Sequence, residues 1–293
     1  MKVILDAKFY GYCPGLIRSF RIADNLIKQS HKDKKKIECD VPLAHNADVL
    51  SDLRKRGVEL IEIDEATDGS NKHFLVSAHG ASHNRIEWLK AKGYEITDAT
   101  CPKVATVQTR ATNDYRAGYQ ILIFGKADHA ETLGINGMID NTAIILREVE
   151  SAAKLKLKSK TSVIAQTTFP PDKFDLGVKN LVAYNPEVDI IIRRTICPIV
   201  QSRIDSVIEY INSSKIDMTV VVGSPTSSNT KSLAYDVRKV CPVRMVADSK
   251  GLDADDFQKD QTILVVSGTS APPEVVEKVA DKIREFGNLL NIK

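Results

Sequence analysis

Residues 13–28 have the sequence CPGLIRSFRIADNLIK, and the architecture can be worked out from the pattern they contain. It begins with Cys-Pro and continues with apolar residues at helical spacing. The same pattern recurs as CPKVATVQTRATNDYR at residues 101–116 and as CPIVQSRIDSVIEYIN at residues 197–212. Proline suits the first position of a helix, because its missing N–H would have no partner there. Each motif therefore predicts a helix with its cysteine at or beside the N-cap.

The three cysteines of these motifs are Cys13, Cys101 and Cys197, and a helix N-terminus favours the thiolate form of a cysteine. Three thiolates can hold a zinc ion, or three corners of an iron–sulfur cube with one metal position open. The residues alone do not distinguish a zinc site from an iron–sulfur cluster, and they also allow a purely structural origin of the repeat. Cys39 and Cys241 lack the pattern, so we interpret them as small hydrophobic residues of the core.

The three motifs are 88 and then 96 residues apart, a spacing typical of repeated α/β modules. Short β-branched runs alternate with amphipathic stretches, which predicts buried parallel strands and covering helices. We therefore expect an α/β fold of three similar modules. They span residues 14–100, 101–196 and 197–293, and the first strand, within residues 1–13, joins the C-terminal module.

Two polar loops follow strands in each module, and sites in parallel sheets are built where strands end. In the first loops, one marker residue per module lies 32, 28 and 32 residues after the module's cysteine. An isolated histidine is more often an ordinary loop residue, but corresponding positions in successive loops favour a shared site. The marker residues of the six loops are His45, His79, His129, Thr167, Asn229 and Ser270.

Together with Ser227 and Ser228, these loops offer hydroxyl, amide and imidazole donors suited to phosphate oxygens. The loops therefore predict an anion pocket. Glu131 lies two residues after His129, where a carboxyl beside a metal could donate a proton.

Composition and missing motifs exclude several classes of protein. The chain has 43% hydrophobic and 27% charged residues and a net charge of +3, which gives no argument for a nucleic-acid partner. It contains no GxGxxG, Walker A, HExxH or GxSxG motif, which disfavours nucleotide-cofactor enzymes and serine hydrolases. The N-terminus lacks the features of a signal peptide, and no apolar run approaches the length of a membrane span. We expect a cytoplasmic protein without a membrane partner.

The motifs GYCPG, AHN, SAHGAS, DATCPKV, HAE, QTT, VGSPTSSNTKSL and SAPPEVVE, in this order, resemble the LytB family of hydroxymethylbutenyl diphosphate reductases. The resemblance covers essentially the whole chain. It implies a trefoil-like, pseudo-threefold α/β fold around one central 4Fe–4S cluster. Its three cysteine ligands would be Cys13, Cys101 and Cys197, which leaves one iron open to substrate.

The resemblance also implies the reaction and its residues. An allylic substrate, 4-hydroxy-3-methylbut-2-enyl diphosphate, would lose its hydroxyl with two electrons and two protons, giving isopentenyl and dimethylallyl diphosphates of the non-mevalonate isoprenoid pathway. Glu131 would donate the proton, and Thr167 would position the substrate hydroxyl and relay that proton. Ferredoxin or flavodoxin would supply electrons, since the chain shows no flavin or nicotinamide motif. The diphosphate-binding residues would be His45, His79, His129, Ser227, Ser228, Asn229 and Ser270.

Four residues depart from the family's usual pattern: Pro14, Leu133, Pro198 and Val200. They surround the implied cluster and substrate loop and remove none of the implied ligands. They leave two alternatives open. One is a divergent cluster reductase that acts on another allylic or anionic compound, and the other is a non-catalytic cluster sensor or carrier.

Overall fold

The computed structural model describes residues 1–44, 46–157 and 160–292. The strands are β1 (Lys2–Leu5), β2 (Lys36–Cys39), β3 (Val58–Leu60), β4 (Lys72–Val76), β5 (Glu95–Asp98), β6 (Gln120–Phe124), β7 (Ile144–Leu146), β8 (Thr161–Ala165), β9 (Ile190–Ile192), β10 (Met218–Val222), β11 (Val243–Val246) and β12 (Thr262–Ser267). The α-helices are α1 (Pro14–Asp33), α2 (Ala47–Lys55), α3 (His83–Ala91), α4 (Pro102–Arg116), α5 (Ala130–Gly137), α6 (Pro171–Tyr184), α7 (Pro198–Ser213), α8 (Ser228–Val237) and α9 (Pro273–Ile292). Short 3₁₀ helices lie at Ala7–Phe9, Val149–Lys154, Ser249–Gly251 and Ala254–Asp256.

The strands form three parallel four-stranded sheets with one shared strand order. The sheets run β3-β2-β4-β5, β7-β6-β8-β9 and β11-β10-β12-β1. In the first two sheets the fourth position belongs to the last strand of the module. In the third sheet β1 takes that position, with Lys2 opposite Thr262 and Leu5 opposite Val265. The N-terminal strand thus completes the sheet of the C-terminal module.

The predicted α/β fold in three modules is confirmed, because each module has its own parallel sheet and flanking helices. The described chain also divides into two compact units. Unit 1 contains residues 1–14, 44–50 and 198–293, and unit 2 contains residues 15–43 and 51–197. The module boundaries at Cys101 and Cys197 stay predictions.

All three Cys-Pro motifs begin helices, as the sequence predicts. The helices α1, α4 and α7 start at Pro14, Pro102 and Pro198. In α4, Cys101 is the N-cap, with extended backbone angles and no hydrogen bond from its side chain to the helix. The Cys101 sulfur is therefore not used for capping.

Helices cover both faces of the sheet of the second module. On one face Leu122, Phe124 and Val163 pack with Phe174 and Leu181 of α6. On the other face, residues of the same strands pack against α4 and α5, and this second layer contains Val107, Ala111, Ile121, Ile123, Ile135 and Ile164. Alternate residues of a strand point to opposite faces, so a strand buried on both sides has to be apolar throughout. This packing fixes the strand ends from which the polar loops leave.

None of the helices in the described parts of the chain is both long and apolar enough to cross a membrane.

Candidate functional site

In unit 2, the loop after β4 is fixed to the start of α4. The Cys101 N–H donates to the Ala78 carbonyl at 3.0 Å. In the same loop, Ser77 Oγ lies 3.2 Å from His79 Nδ1 and accepts the His79 N–H at 3.3 Å. The half-buried thiol of Cys101 and the imidazole of His79 are therefore held on neighbouring backbone segments.

The second histidine of unit 2, His129, lies against the first. The rings of His79 and His129 meet edge to face, with centroids 5.4 Å apart. His129 is also the N-cap of α5, and its Nδ1 accepts the Glu131 N–H at 3.2 Å. This capping bond fixes the orientation of the His129 ring and places Glu131 in the first turn of α5.

Glu131 is a carboxyl inside the protein, 2% exposed, with both oxygens hydrogen-bonded to one residue. The Thr167 N–H donates to Glu131 Oε1 at 2.6 Å, and the Thr167 hydroxyl donates to Oε2 at 2.7 Å. Burial raises the pKa of Glu131, and the two bonds from Thr167 oppose that rise. A carboxyl with a raised pKa keeps its proton at higher pH, which suits a proton donor.

Thr167 connects Glu131 to the third cysteine of the motifs. Its carbonyl accepts the Cys197 N–H at 2.7 Å. Thr167 therefore donates its N–H and its hydroxyl to the Glu131 carboxyl, and its C=O accepts the N–H of Cys197. Within unit 2, Cys101 bonds to Ala78, which precedes His79 in the chain. Contacts then continue from His79 to Cys197 through His129, Glu131 and Thr167.

In unit 1, the polar residues gather at the N-terminus of α8. Ser227 is the N-cap, and its Oγ accepts the Thr230 N–H at 3.4 Å and lies 3.1 Å from Ser270 Oγ. The Asn229 Nδ2 donates to Thr269 Oγ1 at 2.6 Å. The loop after β12 is therefore bound to the first turn of α8 by two side-chain contacts.

Several polar atoms at this helix start are buried without a protein partner. Within the part of the chain that the structure describes, Ser228 Oγ and Asn229 Oδ1 are enclosed and make no hydrogen bond. Leaving such groups unpaired costs roughly 1–3 kcal/mol each. A helix N-terminus also presents N–H groups and a partial positive charge. These features together fit an anionic ligand with several oxygens.

The backbone of Gly268 approaches α8 so closely that it leaves no room for a side chain. A Cβ at Gly268 would lie 3.0 Å from both the N and the Cα of Thr230 and would meet Thr230 Oγ1. Backbone atoms of a helix cannot move away cheaply. Glycine is therefore needed where the loop after β12 touches α8.

Gly268→Ala should destabilise the protein by about 1–3 kcal/mol, the usual cost of forcing an extra methyl group into a packed interior. Gly251→Ala is the matched control, because the atoms nearest to its Cβ would belong to Val246 and lie no closer than an ordinary 3.5 Å. Urea unfolding followed by circular dichroism measures both variants. Equal stability of the two would contradict the close approach.

The first cysteine, Cys13, is held by the same loop that carries Ser270. The Cys13 N–H donates to the Thr269 carbonyl at 3.3 Å. Two residues earlier, the Gly11 N–H donates to the buried Ser267 Oγ at 3.0 Å. Gly11 has φ +85°, in the left-handed region that glycine adopts without strain. Thr269 thus connects Cys13 through its carbonyl and Asn229 through its hydroxyl.

The predicted site residues therefore lie in two groups, each at the ends of parallel strands. Unit 2 contains Cys101, Cys197, His79, His129, Glu131 and Thr167, and unit 1 contains Cys13, Ser227, Ser228, Asn229 and Ser270. His45 lies outside the described residues. The sequence did not single out Ser267 or Thr269. Ser267 ends β12 and Thr269 directly precedes Ser270, so their position at a strand end was the signal that could have found them.

The structure places each of the four residues that depart from the family pattern. Pro14 and Pro198 are the first residues of α1 and α7, where proline is favoured. Val200 is buried in α7. Leu133 is 53% exposed and lines a cavity of about 430 Å³ in unit 2, together with Phe74. None of the four removes a contact described above.

A second cluster of potential metal ligands lies in the first module. Asp33, His73 and Glu95 each offer an atom within 4.8 Å of the others. Asp33 Oδ2 is 2.9 Å from His73 Nε2, whereas Glu95 Oε2 is 3.4 Å from His73 Nδ1, and Lys35 also pairs with Glu95. The two carboxylates thus contact different ring nitrogens. We interpret this cluster as an ion-pair network around a buried imidazole.

Comparison with known proteins agrees with the fold. The model of the LytB protein family matches residues 4–284. The 4-hydroxy-3-methylbut-2-enyl diphosphate reductase of Thermoanaerobacter sp. (strain X514) is 34% identical over 292 residues, which is 96% of each chain. The protein of the same name from Helicobacter pylori (strain P12) is 32% identical over 282 residues, covering 94% of this chain and 97% of the relative.

Two solved structures are also similar. The E-1-hydroxy-2-methyl-but-2-enyl-4-diphosphate reductase from Plasmodium falciparum has a TM-score of 0.84 at 26% identity, over 96% of this chain and 86% of that one. A structure of (E)-4-hydroxy-3-methyl-but-2-enyl diphosphate reductase has a TM-score of 0.70 at 24% identity, over 97% and 100%, and supports the fold alone.

These similarities confirm that the chain is an α/β enzyme of the oxidoreductase class. It belongs to the LytB protein family, as the motifs predicted.

Proposed function

We propose that this chain removes the allylic hydroxyl of 4-hydroxy-3-methylbut-2-enyl diphosphate with two electrons and two protons. The products are water and either isopentenyl or dimethylallyl diphosphate, at the end of the non-mevalonate isoprenoid pathway. The observation that carries this proposal is the buried Glu131 carboxyl, hydrogen-bonded to Thr167, whose carbonyl in turn holds Cys197. Membership of the LytB family supports the same reaction.

The proposed cofactor is one 4Fe–4S cluster with Cys13, Cys101 and Cys197 as its ligands. The three thiols fit this role chemically, since each is free, half-buried and followed by the proline that starts a helix. When bound, such a cluster would supply electrons, and its open iron would act as a Lewis acid on the substrate hydroxyl. Because no thiol of this set is fully buried, all three remain available as ligands.

The diphosphate group of the substrate is proposed to bind through the polar residues of the strand-end loops. Ser228 Oγ and Asn229 Oδ1 are buried without protein partners among the described residues. The Ser228 hydroxyl can donate to a phosphate oxygen, and a hydration water of the phosphate can donate to Asn229 Oδ1. Neutral hydroxyl and amide donors together with imidazoles bind phosphate oxygens well. The full proposed set is His45, His79, His129, Ser227, Ser228, Asn229 and Ser270.

Glu131 is proposed to hold the proton that leaves with the oxygen as water. Its burial favours the neutral carboxylic acid, and the hydroxyl of Thr167 lies 2.7 Å away as the next atom of a proton path. Thr167 also fixes the carboxyl through its N–H, so the acid has one orientation. Of the two hydrogen bonds to Glu131, only the one from the hydroxyl depends on the side chain of Thr167.

Thr167→Val should lower turnover about tenfold, which corresponds to the loss of one hydrogen bond worth roughly 1.4 kcal/mol. The shape of the side chain is kept, and the N–H bond to Glu131 remains. Thr167→Ser restores the hydroxyl and should recover most of the activity. The measurement is steady-state turnover at matched cluster content, and equal rates for the Val and Ser variants would refute the proton path.

The electron donor is proposed to be a ferredoxin or a flavodoxin, since the chain shows no nucleotide-cofactor motif. The cytoplasmic location stays a prediction.

The test of this function is reduction by the reconstituted enzyme. Protein loaded with iron and sulfide under anaerobic conditions is mixed with a reduced low-potential dye and the allylic diphosphate. We expect substrate-dependent, saturable oxidation of the dye. A cluster-loaded protein that oxidises no dye with this substrate would contradict the proposal and favour the divergent reductase or the cluster sensor named above.

A further inference from the structure

One charged residue near the predicted cluster ligands has no place in the proposed reaction. Arg203 is the only lysine or arginine of α7, and it lies in the same unit as Cys13. Its Nη1 donates to the Gly11 carbonyl at 2.7 Å. An arginine that reaches a backbone carbonyl instead of a carboxylate brings an uncompensated positive charge to that point.

The face of α7 that carries Arg203 holds the segment before Cys13 at two points. Tyr210 lies two turns after Arg203, and residues seven apart share one face of a helix. The Tyr210 ring packs against Phe9, which is fully buried, with centroids 5.2 Å apart. Phe9 and Gly11 therefore both rest on α7, and the chain reaches Cys13 from a fixed position.

The bond to Gly11 holds the guanidinium close to Cys13, because Gly11 lies two residues before Cys13 in the chain. Burial lowers the pKa of Arg203, and the charge of a Cys13 thiolate opposes that lowering. Within the described part of the chain, no carboxylate forms a hydrogen bond or an ion pair with this guanidinium. Arginine remains protonated at every pH at which a protein folds. The positive charge beside Cys13 is therefore permanent.

We propose that Arg203 is a positioning residue that fixes the Cys13 loop through Gly11 and raises the reduction potential of the cluster. The inference rests on the cluster proposed above. An added electron is stabilised by a nearby positive charge, and charge in a poorly solvated place acts strongly. The same arginine thus makes the cluster easier to reduce by an external donor.

The test compares reduction potentials of the reconstituted full-length protein and its variants. Arg203→Gln removes the charge but keeps an N–H donor for Gly11, and Arg203→Lys keeps the charge. Arg284→Gln is the control for charge, because Arg284 is an exposed residue of α9 that pairs with Asp281. Anaerobic titration against an electrode, followed by optical and magnetic-resonance spectra, gives the potential, and iron analysis gives the cluster content.

At the potential that half-reduces the unaltered cluster, Arg203→Gln should show about a tenfold lower ratio of reduced to oxidised cluster. This ratio corresponds to a reduction potential that is lower by about 59 mV for a one-electron couple. The Lys variant and the Arg284 control should titrate close to the unaltered protein. An unchanged potential in Arg203→Gln, at full iron content, would overturn the proposal.

If Arg203→Gln loses its cluster, two further variants identify the cause of the loss. Retention of the cluster in Arg203→Lys but not in Arg203→Met supports a need for the charge. Equal loss in both makes Arg203 a structural residue only, which overturns the proposal. If the unaltered protein binds no cluster, the proposed function is contradicted. If the unaltered protein turns over normally and the potential of Arg203→Gln is unshifted, only the inference about Arg203 is contradicted.

Discussion

Cys101→Ser should abolish the 4Fe–4S signal of the reconstituted protein, and Cys13→Ser and Cys197→Ser should do the same. A serine hydroxyl is a far poorer ligand for iron than a thiolate, and a cluster with only three protein ligands has none to spare. The measurement is iron and sulfide content per chain after anaerobic reconstitution, with the visible spectrum of the cluster recorded on the same sample. We expect turnover to disappear together with the cluster.

The chain provides two matched controls for this experiment. Cys39 and Cys241 are each only 4% exposed. Burial raises the pKa of the Cys39 thiol to about 12, so it stays protonated and inert. Cys39→Ser and Cys241→Ser should therefore keep the full cluster. Equal iron content in all five variants would show that the three Cys-Pro cysteines are not the ligands.

Glu131→Gln should reduce turnover by a factor of about 10²–10⁴, the range that general acid catalysis contributes. The amide keeps the size of the carboxyl but has no acidic proton to give. Because Glu131 is not a proposed ligand, the variant should retain its cluster. Single-turnover rates at matched cluster content measure the effect, and a variant as fast as the unaltered protein would remove Glu131 from the reaction.

The pH dependence provides a second signature of Glu131. Since burial raises its pKa, the protonated donor persists above the usual range of a glutamic acid and is lost as pH rises through the raised value. Turnover of the unaltered enzyme should therefore fall on the alkaline side. In Glu131→Gln that decline should be absent from the remaining activity.

Much of the fold follows from local sequence patterns. The Cys-Pro motifs predict the starts of α1, α4 and α7, because proline at the first helical position is a local preference that packing did not override. Strand-end loops predict where His79, His129 and Ser270 lie, since parallel strands end at one edge of a sheet. The N-terminal strand β1 pairs in parallel with β12.

The parts that the sequence does not reveal depend on backbone groups and distant contacts. The Thr269 carbonyl holds Cys13, and the Thr167 carbonyl holds Cys197, yet every residue has a carbonyl and none stands out by its type. Arg203 contacts Gly11, which lies 192 residues earlier in the sequence. Such a pair leaves no periodic signal, because only the folded chain brings the two residues together.

Product analysis measures the proposed reductive dehydroxylation itself. The reconstituted enzyme is incubated anaerobically with 4-hydroxy-3-methylbut-2-enyl diphosphate and a known amount of reductant, and the products are separated and identified by mass. We predict isopentenyl and dimethylallyl diphosphates, with two electrons consumed for each molecule formed. Unchanged substrate beside an intact 4Fe–4S cluster would contradict the account.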